Sequence, residues 1–483
     1  MMMPTYLWDA RPFHGDGAEI FELFKHEPQV FFLDSSLSRP AGRRYSFIGF
    51  SPFTTFSGED SEALASLQKE YRRYSHPGPR GRSVLGAGLV GYLGYDLGLS
   101  LENIAITPKE GLPIPGFWFG FYDTVITLDH FSRKLYVLST GLPEKTDRLR
   151  RIKARSRIAD VLARLARGRL DGERERRGHF CREQSAKGIP LSSNFRKEDY
   201  LRAVRRALEH IRRGDIYQIN LSQRFSADLR GFSGRFDPAG LYLLLRRISP
   251  SGFGAYLDGG GFQVMSSSPE RFLRLRGRAA ETRPMKGTRP RGKNKRDDER
   301  QRQELWTSPK EKAELLMITD LERNDLGRVC DYGTIQVKKI RTIEKYRTVF
   351  QATSTVSGKL AKGKDCFDLL RACFPGGSVT GCPKIRAMQI IEELEPTRRS
   401  IYTGALGYIS FSGEMDFNIL IRTMLACKNQ IWFDVGGGIV SDSVPEKEYE
   451  ETLVKAAAIK DCLAEFFSAR PKSLNPRRRG PAH

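Results

Sequence analysis

Over the first 140 or so residues, apolar positions come in short runs separated by turn residues, at 31–33, 45–48, 88–93, 123–128 and 134–139. Runs of this length, bounded by Gly, Pro, Asn and Asp, read as strands and predict an antiparallel sheet. The period then changes. From Thr146 to Arg167, Leu149, Ile152, Ile158, Leu162 and Leu165 recur at helical spacing, and Gly168 is the expected stop. From Asp199 to Arg213, Tyr200, Val204, Leu208 and Ile211 share one helical face, and Gly214 ends the helix before a strand over 216–225. In that strand Tyr217, Ile219, Leu221 and Phe225 face one way and Gln218, Asn220, Ser222 and Arg224 the other, a polar face fit to line a wet pocket. Further strands are expected at 254–257, 263–267, 406–411, 418–427 and 430–435, and helices near 309–322, 366–373, 383–394 and 446–467. Helices interspersed with antiparallel strands imply an α+β fold, and the chain has no Rossmann fingerprint and no internal repeat.

Composition narrows the class. At 483 residues, 39% hydrophobic and 10% aromatic, the chain can bury a sizeable core. Its longest apolar runs, 88–94 and 112–126, are broken by Gly, Pro and Asp and fall short of the roughly 20 residues of a membrane span. The first fifteen residues carry Asp9 and no apolar core after a basic start, which argues against a secretory signal. Seven scattered cysteines contain no CxxC, so neither a disulfide frame nor a zinc site is expected, and a reducing cytoplasm fits. The net charge of +23 raises a nucleic-acid-binding reading. Much of that excess lies in 164–187 and in 470–479, without zinc-finger spacing, an aromatic RNA-binding signature or zipper heptads. Solvated positive charge around a pocket for an anionic substrate accounts for it as well, so no nucleic-acid partner and no membrane are expected. The chain divides into an N-terminal region 1–167, a basic linker 168–194, a region 195–467 with most of the candidate chemistry, and a basic tail 468–483.

Three constellations can carry chemistry. Glu311 with Glu314 and Glu448 with Glu451 stand at i, i+3 on expected helices, so each pair lies on one face. Hard oxygen donors suit magnesium, which takes one or two carboxylates, substrate oxygens and several waters. Ser308-Pro309-Lys310-Glu311 is also a capping box, which would use Glu311 for the helix start alone. The second is the glycine-rich stretch 374–384, opening a helix at Pro383, where free backbone N–H groups favour an anion; a plain turn would use the same glycines. Gly436, Gly437 and Gly438, just after an apolar strand, permit close approach of a ligand or a tight bend. The third is Lys286 within 283–292, preceded by Glu270 within 266–272. A buried Lys near other cations becomes a nucleophile and a nearby carboxyl group protonates a leaving hydroxyl, whereas an exposed Lys286 is one more charge in a basic loop. No histidine lies between residues 211 and 482, so a catalytic triad or Cys-His glutaminase centre within the second half is excluded.

Taken together, Gly214-Asp215-Ile216-Tyr217-Gln218, Ser268-Pro269-Glu270-Arg271-Phe272, 286–292, Arg323-Asn324-Asp325-Leu326, 374–386, 436–440 and Glu448-Tyr449-Glu450-Glu451-Thr452 resemble the chorismate-utilising enzymes, the family of anthranilate synthase and aminodeoxychorismate synthase components I. The match covers nearly all of 195–465 and, more loosely, the N-terminal third. The resemblance implies two large antiparallel sheets packed face to face with helices outside. It implies magnesium held by Glu314 and Glu451, with Glu311 and Glu448 supporting through water, and chorismate contacted by Gly287, Thr288, Tyr402, Arg422 and the backbone of Gly436, Gly437 and Gly438.

Aminodeoxychorismate synthases resemble this chain in having Lys where Lys286 stands, and anthranilate synthases have Ala there. The implied reaction is therefore amination of chorismate to 4-amino-4-deoxychorismate, with Lys286 adding to the ring, Glu270 as the acid and ammonia supplied by a glutamine amidotransferase partner; anthranilate formation is the alternative. Gln218 stands where isochorismate and salicylate synthases carry a water-activating Lys. Two departures are visible: Gln351 replaces the family's usual His and cannot shuttle a proton at neutral pH. Gly252 replaces a proline that, with a serine matching Ser35, helps relatives hold tryptophan, so the resemblance does not carry tryptophan feedback over and no effector is assigned.

Overall fold

The strands expected in the first third all form, yet they do not make a sheet of their own. In the computed structural model, which describes residues 7–36, 44–76, 85–175, 189–232, 234, 236–346 and 349–468, Phe31–Asp34 pairs with Tyr45–Gly49 on one side and with Phe253–Asp258 on the other. Gly88–Leu93 likewise joins Phe117–Tyr122 to Ala405–Ser410. The result is one twelve-stranded and one ten-stranded sheet, antiparallel at every pairing, with both ends of the sequence contributing to each.

The inner faces meet in a cluster that draws Phe31, Phe47, Leu257 and Val264 from the larger sheet and Val90, Tyr92, Trp118 and Leu406 from the smaller. Helices Gly17–Phe24, Pro238–Ile248 and Pro445–Ser468 cover the outside of the larger sheet, while Ser61–Tyr74 and Cys366–Cys373 cover the smaller. This is the expected α+β architecture. No helix among the described residues is long and apolar enough to cross a membrane, and the six described cysteines are free thiols.

Three local expectations change. The run 418–427 is two strands, Met415–Ile419 in the smaller sheet and Thr423–Cys427 in the larger, joined where Arg422 takes a φ of +51°. Its apolar pattern is continuous because both halves are buried, so hydrophobicity alone does not mark the crossing. The helix over Asp147–Glu175 passes through Gly168 instead of stopping there. A Cβ at Gly168 would lie 2.5 Å from Leu23, so this glycine lets the helix pack closely, at the modest expense of a glycine in a helix interior. The remainder of the linker, 176–188, and the tail from 469 lie outside the described residues.

The third change concerns the polar face of Gln218–Asp228, which is dry. Arg224, 6% exposed, pairs with Asp434 at 3.0 Å and donates to the carbonyls of Arg398 and Arg399. Arg399, 2% exposed, grips both oxygens of Glu395 at 2.8 and 2.9 Å and donates to the carbonyls of Asn220 and Val379. Glu395 in turn accepts from the Ser222 amide and hydroxyl, each at 2.8 Å. The network locks segment 395–403 onto the strand and leaves its beginning, at Gln218, next to the candidate site. Arg399→Ala strands a buried carboxylate and two carbonyls, and should lower unfolding free energy by about 3–5 kcal/mol in urea denaturation.

Candidate active site

The three glycines belong to strand Gln430–Ile439 itself, with Gly436, Gly437 and Gly438 opposite Ser222, Leu221 and Asn220. They supply space. A Cβ at Gly436 would stand 2.8 Å from the Tyr402 hydroxyl, and one at Gly438 would stand 3.2 Å from Gln218 Nε2 and 3.7 Å from Lys286 Nζ. At Gly437, on the alternate face, a Cβ would meet Glu448 Oε2 at 3.3 Å and Glu451 Oε1 at 3.5 Å. Residues from four distant stretches of sequence thus crowd around one bare segment of backbone.

Lys286 arrives from the other sheet, on strand Met285–Pro290, which pairs with Val349–Lys359. The register shifts between Lys286 and Thr288, where Gly287 takes a φ of +76° and a Cβ would lie 2.5 Å from Glu311 Oε2. Conformation and space both demand glycine here. Among the described residues the Lys286 amine makes no ion pair or hydrogen bond. Burial pushes its pKa down, against the opposing pull of Glu314 and Glu270, which enriches the nucleophilic free amine.

Glu270 is 4% exposed, and its Oε1 accepts from Ser378 Oγ at 2.7 Å and from the Met285 amide at 3.3 Å. Burial raises its pKa to about 7, although Ser378, Lys286 and the Met285 amide all favour the carboxylate. An acid that holds and releases its proton near neutrality is suited to protonating a leaving group. The glycine-rich loop is therefore used differently from the anion cradle expected of it: its residues 376–381 are buried, Gly377 packs against Leu321, and Ser378 holds Glu270. Ser378 escaped the sequence reading because a serine among glycines looks like turn material.

The four candidate magnesium ligands approach on two helices, Pro309–Gly327 and Pro445–Ser468. Ser308 caps the first through the Glu311 amide at 3.4 Å, but the Glu311 carboxylate does not return to the cap and instead accepts from Arg289 at 3.1 Å. Glu314 has its pKa raised by burial, with like charge from Glu311 and Glu451 adding and Lys286 opposing. Glu448 is held by Ser443 at 2.6 Å, and Glu451 pairs with Lys455 at 2.7 Å. Among the described residues no three His, Cys, Asp or Glu side chains gather as a metal site. The donor chemistry still fits a hard dication that needs only one or two protein carboxylates: Glu314 feels Glu451 across the cleft, and two of the four acids are partnered by cations.

Tyr402 is buried beside Gly436. Arg422 has no carboxylate partner among the described residues, and burial pushes its pKa down. Thr288 is exposed, on the far side of the Gly287 bulge, opposite Gln351. Gln351 is 4% exposed and brings no titrating group. Two further residues join the set. Gln218 is fully buried, and among the described residues neither end of its amide has a partner, so it can offer both a donor and an acceptor to a polar group. Lys455 bridges the Gly436 carbonyl at 2.9 Å and Glu451, although its i, i+4 spacing from Glu451 reads in sequence as an ordinary surface pair.

The sequence profile of the chorismate binding enzymes matches residues 31–461. Anthranilate synthase component 1 of Thermus thermophilus is 39% identical over 442 residues, covering 89% of this chain and 91% of that protein. Aminodeoxychorismate synthase component 1 of Bacillus subtilis is 34% identical over 444 residues, covering 88% and 91%. Among solved structures, anthranilate synthase component I of Streptococcus pneumoniae superposes with a TM-score of 0.75 at 29% identity, covering 88% of this chain and 94% of that one.

Glu270 makes stability pH-dependent. Its folded pKa of about 7 lies above the value of 4.5 for a free glutamate, so its favourable term is complete below pH 4.5 and is lost as pH rises through about 7. Glu270→Gln removes that loss. Relative to wild type, the variant should gain about 3 kcal/mol of unfolding free energy between acidic and mildly alkaline pH, measured by denaturant titration.

Proposed function

Since the chain belongs to the family of chorismate binding enzymes, we propose that it aminates chorismate to 4-amino-4-deoxychorismate, the precursor of 4-aminobenzoate and folate, as the synthase component of an aminodeoxychorismate synthase. The observation that carries this reading is Lys286: an amine held at the glycine strand without an ion pair, within the electrostatic reach of Glu270. An exposed loop lysine would show neither property.

In this reading chorismate lies on Gly436, Gly437 and Gly438, bounded by Tyr402, Gly287 and Thr288, with Arg422 gripping a carboxylate through two parallel hydrogen bonds. The Lys286 amine attacks the ring, the carbon–oxygen bond breaks, and Glu270 gives its proton to the departing hydroxyl, which leaves as water. Ammonia then forms the new carbon–nitrogen bond and Lys286 departs as the amine, while the enolpyruvyl group stays on the ring. Glu314 and Glu451 would hold magnesium directly, with Glu311 and Glu448 supporting through water. The bound ion would neutralise substrate carboxylate charge and fix its orientation. Ammonia would come from a glutamine amidotransferase partner, as in the family; residues 211–482 hold no histidine for glutamine hydrolysis. The free thiols suit the cytoplasm.

The competing product is anthranilate, the activity named for several relatives. With chorismate, magnesium and ammonium, the purified chain should yield a product that a 4-aminobenzoate-forming lyase converts to 4-aminobenzoate; anthranilate fluorescence without the lyase would overturn the assignment. Lys286→Ala should lower amination by about two orders of magnitude or more while leaving the unfolding midpoint nearly unchanged, and unaltered turnover would remove Lys286 from the mechanism.

A further inference from the structure

Behind Glu270 lies a second buried acid that the proposed reaction does not use. Glu322, on helix Pro309–Gly327, is 6% exposed, and its Oε2 stands 2.8 Å from Thr282 Oγ1. The same Thr282 oxygen stands 2.7 Å from the carbonyl oxygen of Phe272. A carbonyl only accepts, and a threonine hydroxyl has one proton. With that proton given to Phe272, the contact to Glu322 is a hydrogen bond only if the carboxyl group donates it.

The surroundings agree. The nearest cation, Lys384, is committed to Asp325 at 2.6 Å and to the Cys373 carbonyl at 2.9 Å. Thr282, Glu322, Asp325 and Gly377 border a void of about 10 Å³, room for one water at most, so solvent does not hydrate a charge there. The charged or titratable groups facing Glu322 are Glu270, Asp325, Lys384 and Cys373.

We infer that Glu322 serves as a neutral carboxylic acid and a positioning residue, donating through Thr282 to Phe272 and so tying the helix of Glu311 and Glu314 to the strands that deliver Glu270 and Lys286. Phe272 lies two residues after Glu270, and Thr282 lies four before Lys286, on adjoining strands. One directed chain of hydrogen bonds therefore sets three catalytic elements against one another. Neutrality matters as well as reach: a carboxylate at this point would repel the Glu270 anion and make Glu270 hold its proton more tightly, weakening it as an acid.

The inference rests on the assignment of Glu270 as the proton donor, and the test separates the two. Chorismate loss by the wild-type chain with ammonium and magnesium, and its fall in Glu270→Gln, examines that assignment; comparison of Glu322 variants examines Glu322. Glu322→Gln keeps a donor to Thr282, so its turnover should stay within about threefold of wild type, with the alkaline limb of kcat/KM unmoved. Glu322→Ala breaks the chain, and its kcat should fall about tenfold or more. At about pH 8.5, above the Glu270 transition, the infrared band of a protonated carboxyl group should be present in wild type and absent from Glu322→Gln. A downward shift of the alkaline limb in Glu322→Gln, an unchanged infrared band, or wild-type kcat in Glu322→Ala overturns the inference. If the alanine variant fails to fold, the glutamine variant and the infrared band still decide it.

Discussion

A half-buried lysine and a buried carboxyl group set within electrostatic reach, with no ion pair closed between them, constrain everything built around them. Burial lowers the proton affinity of Lys286, which favours the free amine, and raises that of Glu270, whose pKa of about 7 makes the neutral acid accessible near neutrality. Keeping a buried Glu270 and a half-buried Lys286 from collapsing onto each other needs support from outside the pair. Ser378 and the Met285 amide hold Glu270, and the bare Gly287 lets the Lys286 strand pass close against Glu311. The bare backbone of Gly436 to Gly438 leaves the room that any side chain would fill. Segment 395–403, pinned by Arg399 and Glu395, fixes Tyr402 beside that backbone.

Much of this was legible in the sequence, though unevenly. Periodicity located the strands at 31–34, 45–49 and 88–93 and the helix at 366–373, because each has a single apolar face or a short, fully buried run. It failed at 418–427, where burial on both sides of the crossing erases the signal that a strand has changed sheets. It also passed over the hairpin of Gln336–Lys345 with Val349–Lys359, whose first strand is largely exposed and charged. The polar alternation at Gln218, Asn220, Ser222 and Arg224 was correct as a pattern, but polarity does not distinguish a wet face from an ion-paired dry one.

The site shows the same division. Lys286, Glu270 and the glycines were singled out by motif, and they do converge, because residues under such tight spatial demand have few alternatives. The carboxylate pairs were read correctly as helix faces, yet their partners Arg289 and Lys455 come from contacts that local spacing does not encode. Ser378 and Glu322 share a different concealment: each matters through a neighbour remote in sequence, a glutamate 108 residues away or a threonine 40 residues away.

The sharing of both sheets between the two ends of the chain also governs how the molecule comes into being. When the first third leaves the ribosome, Phe31–Asp34 and Gly88–Leu93 each have one edge that can be satisfied only by strands some two to three hundred residues further on. Until those strands are made, neither sheet can close and the apolar faces of the early strands stay open to other chains. Nascent protein is therefore held in a long, sticky interval during synthesis, and its yield depends on translation speed and chaperone capture as much as on the stability of the finished fold.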